Sequence, residues 1–251
     1  MNVILFEPTE MTPDGQVRVT GARASHLKKV LGVMPGRDVR VGIVDGCAGL
    51  GTVTGVDPEA VTLKCAFAVE PPPVPAIDVL LAVPRPKVLR RLWPQLAALG
   101  VRRIMLSNAE RVERHYFDTH MLDVQAYRPL LIEGLQQARD TRLPQVTVHR
   151  RFKVLVEDDL DGMCGEGLRL VAHPGVATSP ATAMQEHRGG RVLVAIGPEG
   201  GWNTFELNLL ASRGFSPIGL GSRSLRTDTA SIAILAVLHD ALRRSAGQAE
   251  S

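Results

Sequence analysis

Two hydrophobic patterns divide the chain. Between residues 16 and 69, short runs alternate apolar and polar positions and are interrupted by glycine, as in QVRVTG, DVRVGIVDG, GLGTVTGV and AVTLKCAFAV. Such alternation is typical of half-buried β-strands joined by tight turns. A helical stretch, SHLKKVLG, separates the first two runs and ends near Gly32 and Pro35. This region is predicted to form a small antiparallel barrel or sandwich.

A proline-rich segment, EPPPVPA at 70–76, marks the predicted domain boundary because proline fixes φ and keeps the chain extended. Beyond it, strand-like apolar runs alternate with helical patterns. The strand-like runs are 77–83, 101–106, GLRLVAH, RVLVAIG and FSPIGLG. The helical patterns are 89–99, with Pro94 expected to kink the helix or shift its start; 130–140, behind Pro129; FELNLLASRG; and TASIAILAVLHDALRR. This order predicts an α/β domain with a largely parallel sheet.

Charge and cysteine content narrow the functional classes. The net charge is only +3, and the excess lies in residues 76–160, which carry 14 Lys/Arg against 10 Asp/Glu. That excess fits either phosphate contacts or a solvated face. The three cysteines lack a CxxC or Cys/His cluster, so neither a disulfide framework nor a metal site is expected. The start MNVILFEPTE has no basic signal region and no apolar run reaches membrane-spanning length, which predicts a cytoplasmic protein without a membrane partner.

The most informative motif is VLVAIGPEGGWNTFE at 192–206, where a strand-like run ends in a glycine-bearing loop before a helix. Glycine lets backbone N–H and C=O groups approach a ligand without obstruction. The loop is no GxGxxG fingerprint, which argues against a dinucleotide site. A second loop follows one strand later, in IGLGSRSLRTDTASIAILAVL at 218–238, before a helix expected to be capped by Thr227 or Asp228.

The pairing of IGPEGG with LGSRSLRTDTA closely resembles the RsmE family of 16S ribosomal RNA uridine-N3 methyltransferases, within the SPOUT superfamily. HLKKVLGVMPGRDV, AERVERHYF and AHPG extend the resemblance over most of the chain. It implies a PUA-like, RNA-binding β-barrel at 1–70 and an α/β methyltransferase domain with a trefoil knot at 76–246. It also implies a homodimer, S-adenosylmethionine as cofactor, and 16S rRNA, within the small ribosomal subunit, as substrate.

The resemblance implies cofactor contacts in three segments. These residues are Ala172, His173, Pro174, Ile196, Gly197, Pro198, Glu199, Gly200, Gly201, Leu220, Gly221, Ser222, Leu225, Arg226 and Thr227.

Methyl transfer from a sulfonium needs neither a metal nor a covalent enzyme intermediate, so the protein must position the acceptor and manage its proton. We hypothesise that Arg226 or Arg223 stabilises charge on the uracil imide, and that Glu199 or Asp228 orients or removes the proton. The catalytic candidates are therefore Arg226, Glu199 and Asp228. The alternative is that the acids cap helices and the arginines bind phosphate.

Basic residues of the predicted barrel and of the AERVERHYF segment, together with one arginine of the second loop, are candidates for RNA contact. The predicted RNA-binding residues are Arg23, Lys28, Lys29, Arg111, Arg114 and Arg223. The middle of the chain departs from the family, since PQLAALGV stands where QKATELGV is usual. Two alternatives therefore stay open: a knotted methyltransferase acting on another RNA position, and a catalytically silent RNA-binding assembly protein.

Overall fold

A computed structural model describes residues 3–185, 187 and 189–249, and the chain divides into two compact units. The first comprises Met1–Val74 with Ile132–Leu143, and the second comprises Pro75–Leu131 with Pro144–Ser251. Residues 132–143 belong to the first unit because the Val3 amide donates to the Gln136 carbonyl at 3.2 Å and the Thr141 hydroxyl to the Gly46 carbonyl at 2.7 Å. The two continuous ranges predicted from the sequence differ from these units by this segment.

The first unit contains a five-stranded sheet and one helix. Its elements are β1 (Ile4–Phe6), β2 (Gln16–Thr20), α1 (Gly21–Lys29), β3 (Asp38–Ile43), β4 (Ala48–Val56) and β5 (Ala60–Val69). The strand order is β1-β3-β4-β5-β2; β1 runs parallel to β3, and the other pairings are antiparallel. Alternate residues of β2 and β3 enter one hydrophobic core, as the sequence pattern predicts, whereas β1 was not predicted.

The second unit alternates strands and helices. Its elements are β6 (Ile77–Ala82), α2 (Pro86–Ala98), β7 (Val101–Ser107), α3 (Val124–Ala138, whose last residues belong to the first unit), β8 (Gln145–His149), α4 (Phe152–Val154), α5 (Leu160–Cys164), β9 (Leu168–Ala172), α6 (Pro180–Ala183), β10 (Val192–Ile196), α7 (Thr204–Ser212), β11 (Phe215–Ile218) and α8 (Thr227–Ala249). A π-helical turn, Leu155–Asp159, joins α4 to α5, and 3₁₀ turns occupy Pro8–Glu10, Arg114–Asp118 and His120–Leu122.

The sheet of the second unit has the order β11-β9-β10-β6-β7-β8, and all five pairings are parallel. The predicted α/β class with a parallel sheet is therefore confirmed. Every residue of β6 and β10 is buried, which explains why these strands read as continuous apolar runs. In the described part of the chain, no helix is both long and apolar enough to cross a membrane.

Helix boundaries differ from the sequence predictions where proline is involved. Helix α2 begins at Pro86, in the first turn that proline favours, and Pro94 lies within the helix. The predicted start of α3 behind Pro129 was wrong, because the helix begins at Val124 and contains Pro129. Thr227 and Asp228 are the first two residues of α8 instead of its cap.

Candidate active site

Three neighbouring strands, β10, β9 and β11, end at the same edge of the parallel sheet, where open α/β sheets commonly bind ligands. Hydrogen bonds connect the loops that follow them. The His173 amide donates to the Ile218 carbonyl at 2.9 Å, and the Gly219 amide donates to the Thr178 carbonyl at 2.8 Å. The Thr227 hydroxyl donates to the Gly197 carbonyl at 3.4 Å. The two glycine-bearing loops therefore converge, as the sequence motifs predict.

The loops enclose one cavity of about 330 Å³. Its size lies within the roughly 300–1,000 Å³ typical of small-molecule sites. The lining residues are Arg111, Ala172, His173, Pro174, Ile196, Gly197, Pro198, Glu199, Gly200, Gly201, Trp202, Ile218, Gly219, Leu220, Gly221, Arg223, Ser224, Leu225, Thr227, Ala230 and Ile234. This mixture of apolar side chains, backbone groups and a few charges suits a ligand with apolar and polar parts.

Two of the glycines are closely packed, Gly219 against backbone and Gly200 against a side chain. A Cβ atom at Gly219 would lie 2.2 Å from the Val176 carbonyl oxygen, so only glycine lets the loops after β11 and β9 approach this closely. A Cβ atom at Gly200 would lie 2.9 Å from Cδ of Arg111. The Arg111 guanidinium also donates to the Gly200 carbonyl, which brings an arginine from the loop after β7 to the cavity.

A buried carboxylate anchors that arginine's loop to the IGPEGG loop. Glu206 is 3% exposed, and its two oxygens accept the Glu110 amide at 2.7 Å and the Asn203 amide at 2.8 Å. Asn203 caps α7 in return, by accepting the Glu206 amide. Trp202 is also buried, and its ring centroid lies 5.4 Å from that of Phe152.

Nearly all predicted cofactor residues line the cavity; Ser222 and Arg226 do not. The cavity also includes residues that the sequence analysis did not assign to the cofactor: Arg111, Trp202, Ile218, Gly219, Arg223, Ser224, Ala230 and Ile234. Ala230 and Ile234 come three and seven residues after Thr227 and so share its face of the helix. Helical periodicity could therefore have indicated that both line the cavity. Arg111 is distant in sequence, and no local pattern indicates its approach.

The charged candidates occupy different places. Glu199 and Arg223 line the cavity, and Nε of Arg85 lies 3.9 Å from the Glu199 carboxylate. Arg226 is exposed and outside the lining, and its carbonyl accepts the Ala230 amide at 2.8 Å. Asp228 also lies outside the lining and pairs with Arg91 at 2.6 Å. The catalytic assignments themselves stay predictions.

The remaining predicted RNA contacts are not among the residues that line this cavity. Arg23 pairs with Glu10, and the Lys28 ammonium donates to the carbonyls of Asp57 and Pro58 at 3.1 and 2.6 Å. Lys29 and Arg114 are exposed. Arg23 and Lys28 thus already have intramolecular partners, whereas Lys29 and Arg114 present their charge to solvent.

Comparisons with known proteins agree with this geometry. A family model described as RNA methyltransferase domain matches residues 70–239. A ribosomal RNA small subunit methyltransferase E from Treponema pallidum is 29% identical over 243 residues, covering 95% of this chain and 90% of the relative. A ribosomal RNA small subunit methyltransferase E 1 from Borreliella burgdorferi is 24% identical, covering 93% and 95%. These relatives confirm the resemblance to the RsmE family.

Solved structures show the same fold. A ribosomal RNA small subunit methyltransferase E from Neisseria gonorrhoeae, bound to S-adenosyl methionine, has a TM-score of 0.76 at 20% identity and covers 96% of this chain and 97% of its own. A probable rRNA-methyltransferase from Porphyromonas gingivalis has a TM-score of 0.77 at 19% identity, covering 97% and 99%. The family model matches more than half of this chain, and the chain therefore belongs to the RNA methyltransferase domain family.

Proposed function

We propose that this protein transfers a methyl group from S-adenosylmethionine to N3 of a uridine in 16S rRNA of the small ribosomal subunit. The observation that carries the proposal is the convergence of the IGPEGG and LGSRSLRTDTA loops on one cavity of about 330 Å³. The names of the relatives support the substrate, and the bound ligand of the Neisseria protein supports the cofactor. Activity on ribosomal RNA implies a cytoplasmic location.

The residues of the cavity fit this cofactor. Leu220, Leu225 and Ile234 offer apolar surface, while the Gly197–Gly201 loop offers backbone donors and acceptors at close range. Nδ1 of His173 is buried without a hydrogen-bond partner among the described residues, and the residue lines the cavity. When bound, S-adenosylmethionine supplies an electrophilic methyl group on sulfur.

The chain's own residues orient the acceptor and handle its proton. Methyl transfer forms the N3–C bond as the C–S bond breaks, and the N3 proton must leave. Placement in the cavity favours Glu199 over Asp228 as the group that orients or accepts this proton, and Arg223 over Arg226 as the cation that stabilises the imide charge. Arg111 provides a second cation at the same cavity for the RNA.

We also propose the finer architecture that the family resemblance implies, with a PUA-like RNA-binding barrel at 1–70 and a trefoil-knotted domain at 76–246. Support for the knot comes from the strand order, because β11 lies beyond β9 although β10 separates them in sequence. The chain leaving β11 passes against Val176 and Thr178, and α8 then packs against α6. A homodimer is also part of this proposal. In analytical ultracentrifugation, the protein is expected to sediment with twice the mass of one chain.

Mass mapping of methylated uridines in 16S rRNA tests the function directly. Cells lacking the protein are expected to lose one N3-methyluridine, and the wild-type gene is expected to restore it. An rRNA profile that is the same in both strains overturns the uridine assignment and favours another RNA position. A purified protein that gives no heat and no thermal shift with S-adenosylmethionine favours a silent RNA-binding protein.

Single substitutions test the assigned roles. Arg223→Ala and Glu199→Gln are expected to lower the turnover number at saturating cofactor by about 10²-fold or more, within the range of lost electrostatic or acid–base catalysis. Arg226→Ala is the matched control from the same loop, expected to retain turnover. Loss of turnover only in the Arg226 variant would reverse the assignment of the two arginines.

A further inference from the structure

One ion pair joins α2 to the first turn of α8. Nη2 of Arg91 donates to Oδ2 of Asp228 at 2.6 Å, and Oδ1 of the same carboxylate accepts the Thr229 amide at 2.9 Å. The Asp228 side chain is 16% exposed and that of Arg91 is 58% exposed. Both carboxylate oxygens are therefore engaged, at a helix N-terminus that itself favours negative charge.

The loop between β11 and α8 has few other attachments. Residues 221–226 are exposed, and within the described part of the chain no hydrogen bond is made by residues 220–225. The loop is held at its start by the bond from the Gly219 amide to Thr178, and at its end by Thr227 and Asp228. The bond from Thr227 to Gly197 is long, at 3.4 Å, so the ion pair is the shorter attachment at that end.

This loop supplies a large part of the cavity wall through Leu220, Gly221, Arg223, Ser224 and Leu225. Because it lacks internal hydrogen bonds, its position over the cavity depends on where its two ends are fixed. A shift of the first turn of α8 would therefore move several wall residues together.

We infer that Arg91 is a positioning residue, whose ion pair with Asp228 fixes the 219–226 loop in the conformation that binds the cofactor. Asp228 then acts through the loop, and the proton of the acceptor is left to Glu199. The catalytic consequence rests on the proposed function, whereas the effect on loop order does not. Partly exposed ion pairs contribute modestly, so about a fivefold effect is expected.

Hydrogen–deuterium exchange of the ligand-free protein tests how firmly this end of the loop is held. The Ala230 amide is bound to the Arg226 carbonyl at 2.8 Å and is therefore protected by the first turn of α8. Arg91→Ala and Asp228→Asn are expected to speed its exchange by about fivefold, with unchanged rates in β6 and β10. Arg90→Ala is the matched control, because Arg90 is an exposed neighbour on α2 without an ion-pair partner among the described residues. A wild-type exchange rate at Ala230 in the Arg91→Ala variant overturns the inference.

Calorimetric titration with S-adenosylmethionine tests the consequence for binding. Arg91→Ala and Asp228→Asn are each expected to raise the Kd about fivefold, the double variant no further than either single one, and Arg91→Lys to recover most of the affinity. The KM for the cofactor should rise, and its recovery in Arg91→Lys is a result that general destabilisation would not produce. Additive effects of the two substitutions overturn the pairing. A wild-type protein that does not bind the cofactor contradicts the proposed function instead, and exchange still decides the role of Arg91.

Discussion

The two ends of the parallel sheet of the second unit are both rich in charge, yet they use it differently. At the amino end, Asp78 is 1% exposed and pairs with Arg102, while Arg169 pairs with Asp161 at 2.6 Å and Arg191 donates to the Cys164 carbonyl at 3.3 Å. The space left there is about 10 Å³, room for no more than about one water molecule. The carboxyl end opens into a cavity of about 330 Å³.

The difference lies in whether neighbouring residues already satisfy each charged group. At the amino end the partners are other side chains and carbonyls, so removing one partner leaves the other without compensation. Burial, with the Asp78 carboxylate adding to it, raises the pKa of Cys164 to about 11, so this thiol stays protonated and unreactive. At the carboxyl end, Arg223 is exposed beside a cavity and is available to a ligand.

The largest expected effect is at the amino end. Asp78→Ala leaves the Arg102 guanidinium, which is 12% exposed, without its carboxylate partner. The free energy of unfolding should fall by about 3–5 kcal/mol, the usual cost of breaking one side of a buried pair. Urea unfolding followed by circular dichroism measures this change.

Replacing both partners, as in Asp78→Leu with Arg102→Met, is the control for that prediction. Because the second substitution removes the unpaired charge, much of the lost stability should return. A result in which Asp78→Ala weakens cofactor binding without lowering stability would show that the amino end is functional, and the contrast between the two ends would fail.

Next in size is a substitution at the carboxyl end. Gly219→Ala places a methyl group 2.2 Å from the Val176 carbonyl oxygen and must separate two loops of the cavity. Overpacking of this kind costs about 1–3 kcal/mol of folding stability, and cofactor binding should weaken because the loops that form the cavity are pushed apart. Gly162→Ala is the matched control, since a Cβ atom there meets nothing within 4 Å. Calorimetry compares the two, and equal affinities would show that this close approach does not shape the site.

The order of elements in the second unit could be predicted from sequence because its periodic signals are local. The apolar runs of β6, β7 and β10 and the helical spacing of Leu89, Leu92 and Leu96 need no knowledge of the rest of the chain. The start of α3 was missed because Pro129 was interpreted as a first-turn residue, whereas the helix tolerates it in its interior.

Only part of the cavity could be predicted, because only part of it is encoded in local sequence motifs. The two glycine loops carry local motifs, and their convergence follows from adjacent parallel strands. The Arg111 guanidinium is held at the cavity by its hydrogen bond to the Gly200 carbonyl. Asp228 forms an ion pair with Arg91, which is 137 positions away in the sequence. Pairings over such separations leave no trace in local periodicity, so sequence reasoning assigned Asp228 to proton handling and not to an ion pair.

Glu206 tests the comparison between the two ends of the sheet, because it is a buried acid at the end that carries the cavity. Glu206→Gln keeps the shape but loses the charge, and the amide can accept only one of the two backbone N–H groups through oxygen. Stability should fall by about 1–2 kcal/mol, the cost of one unsatisfied or weakened buried bond. Urea unfolding measures the loss. Glu110→Gln is the control, since it changes a neighbouring carboxylate while the Glu110 amide remains available to Glu206.

The smallest expected effect concerns His239 in α8, close to Gly100 at the amino end of β7. Burial lowers the pKa of His239 from 6.5, a hydrogen bond to the Leu99 backbone opposes this, and the Arg243 charge adds to it. The unfolded chain therefore takes up the proton first as the pH falls below about 6.5, and stability is lost on acidification. His239→Gln should reduce the fall in Tm between pH 7.5 and pH 5.5, relative to the wild type. The same fall in both proteins would mean that this histidine is not buried in its neutral form, and that the amino end is less closed to solvent than its ion pairs indicate.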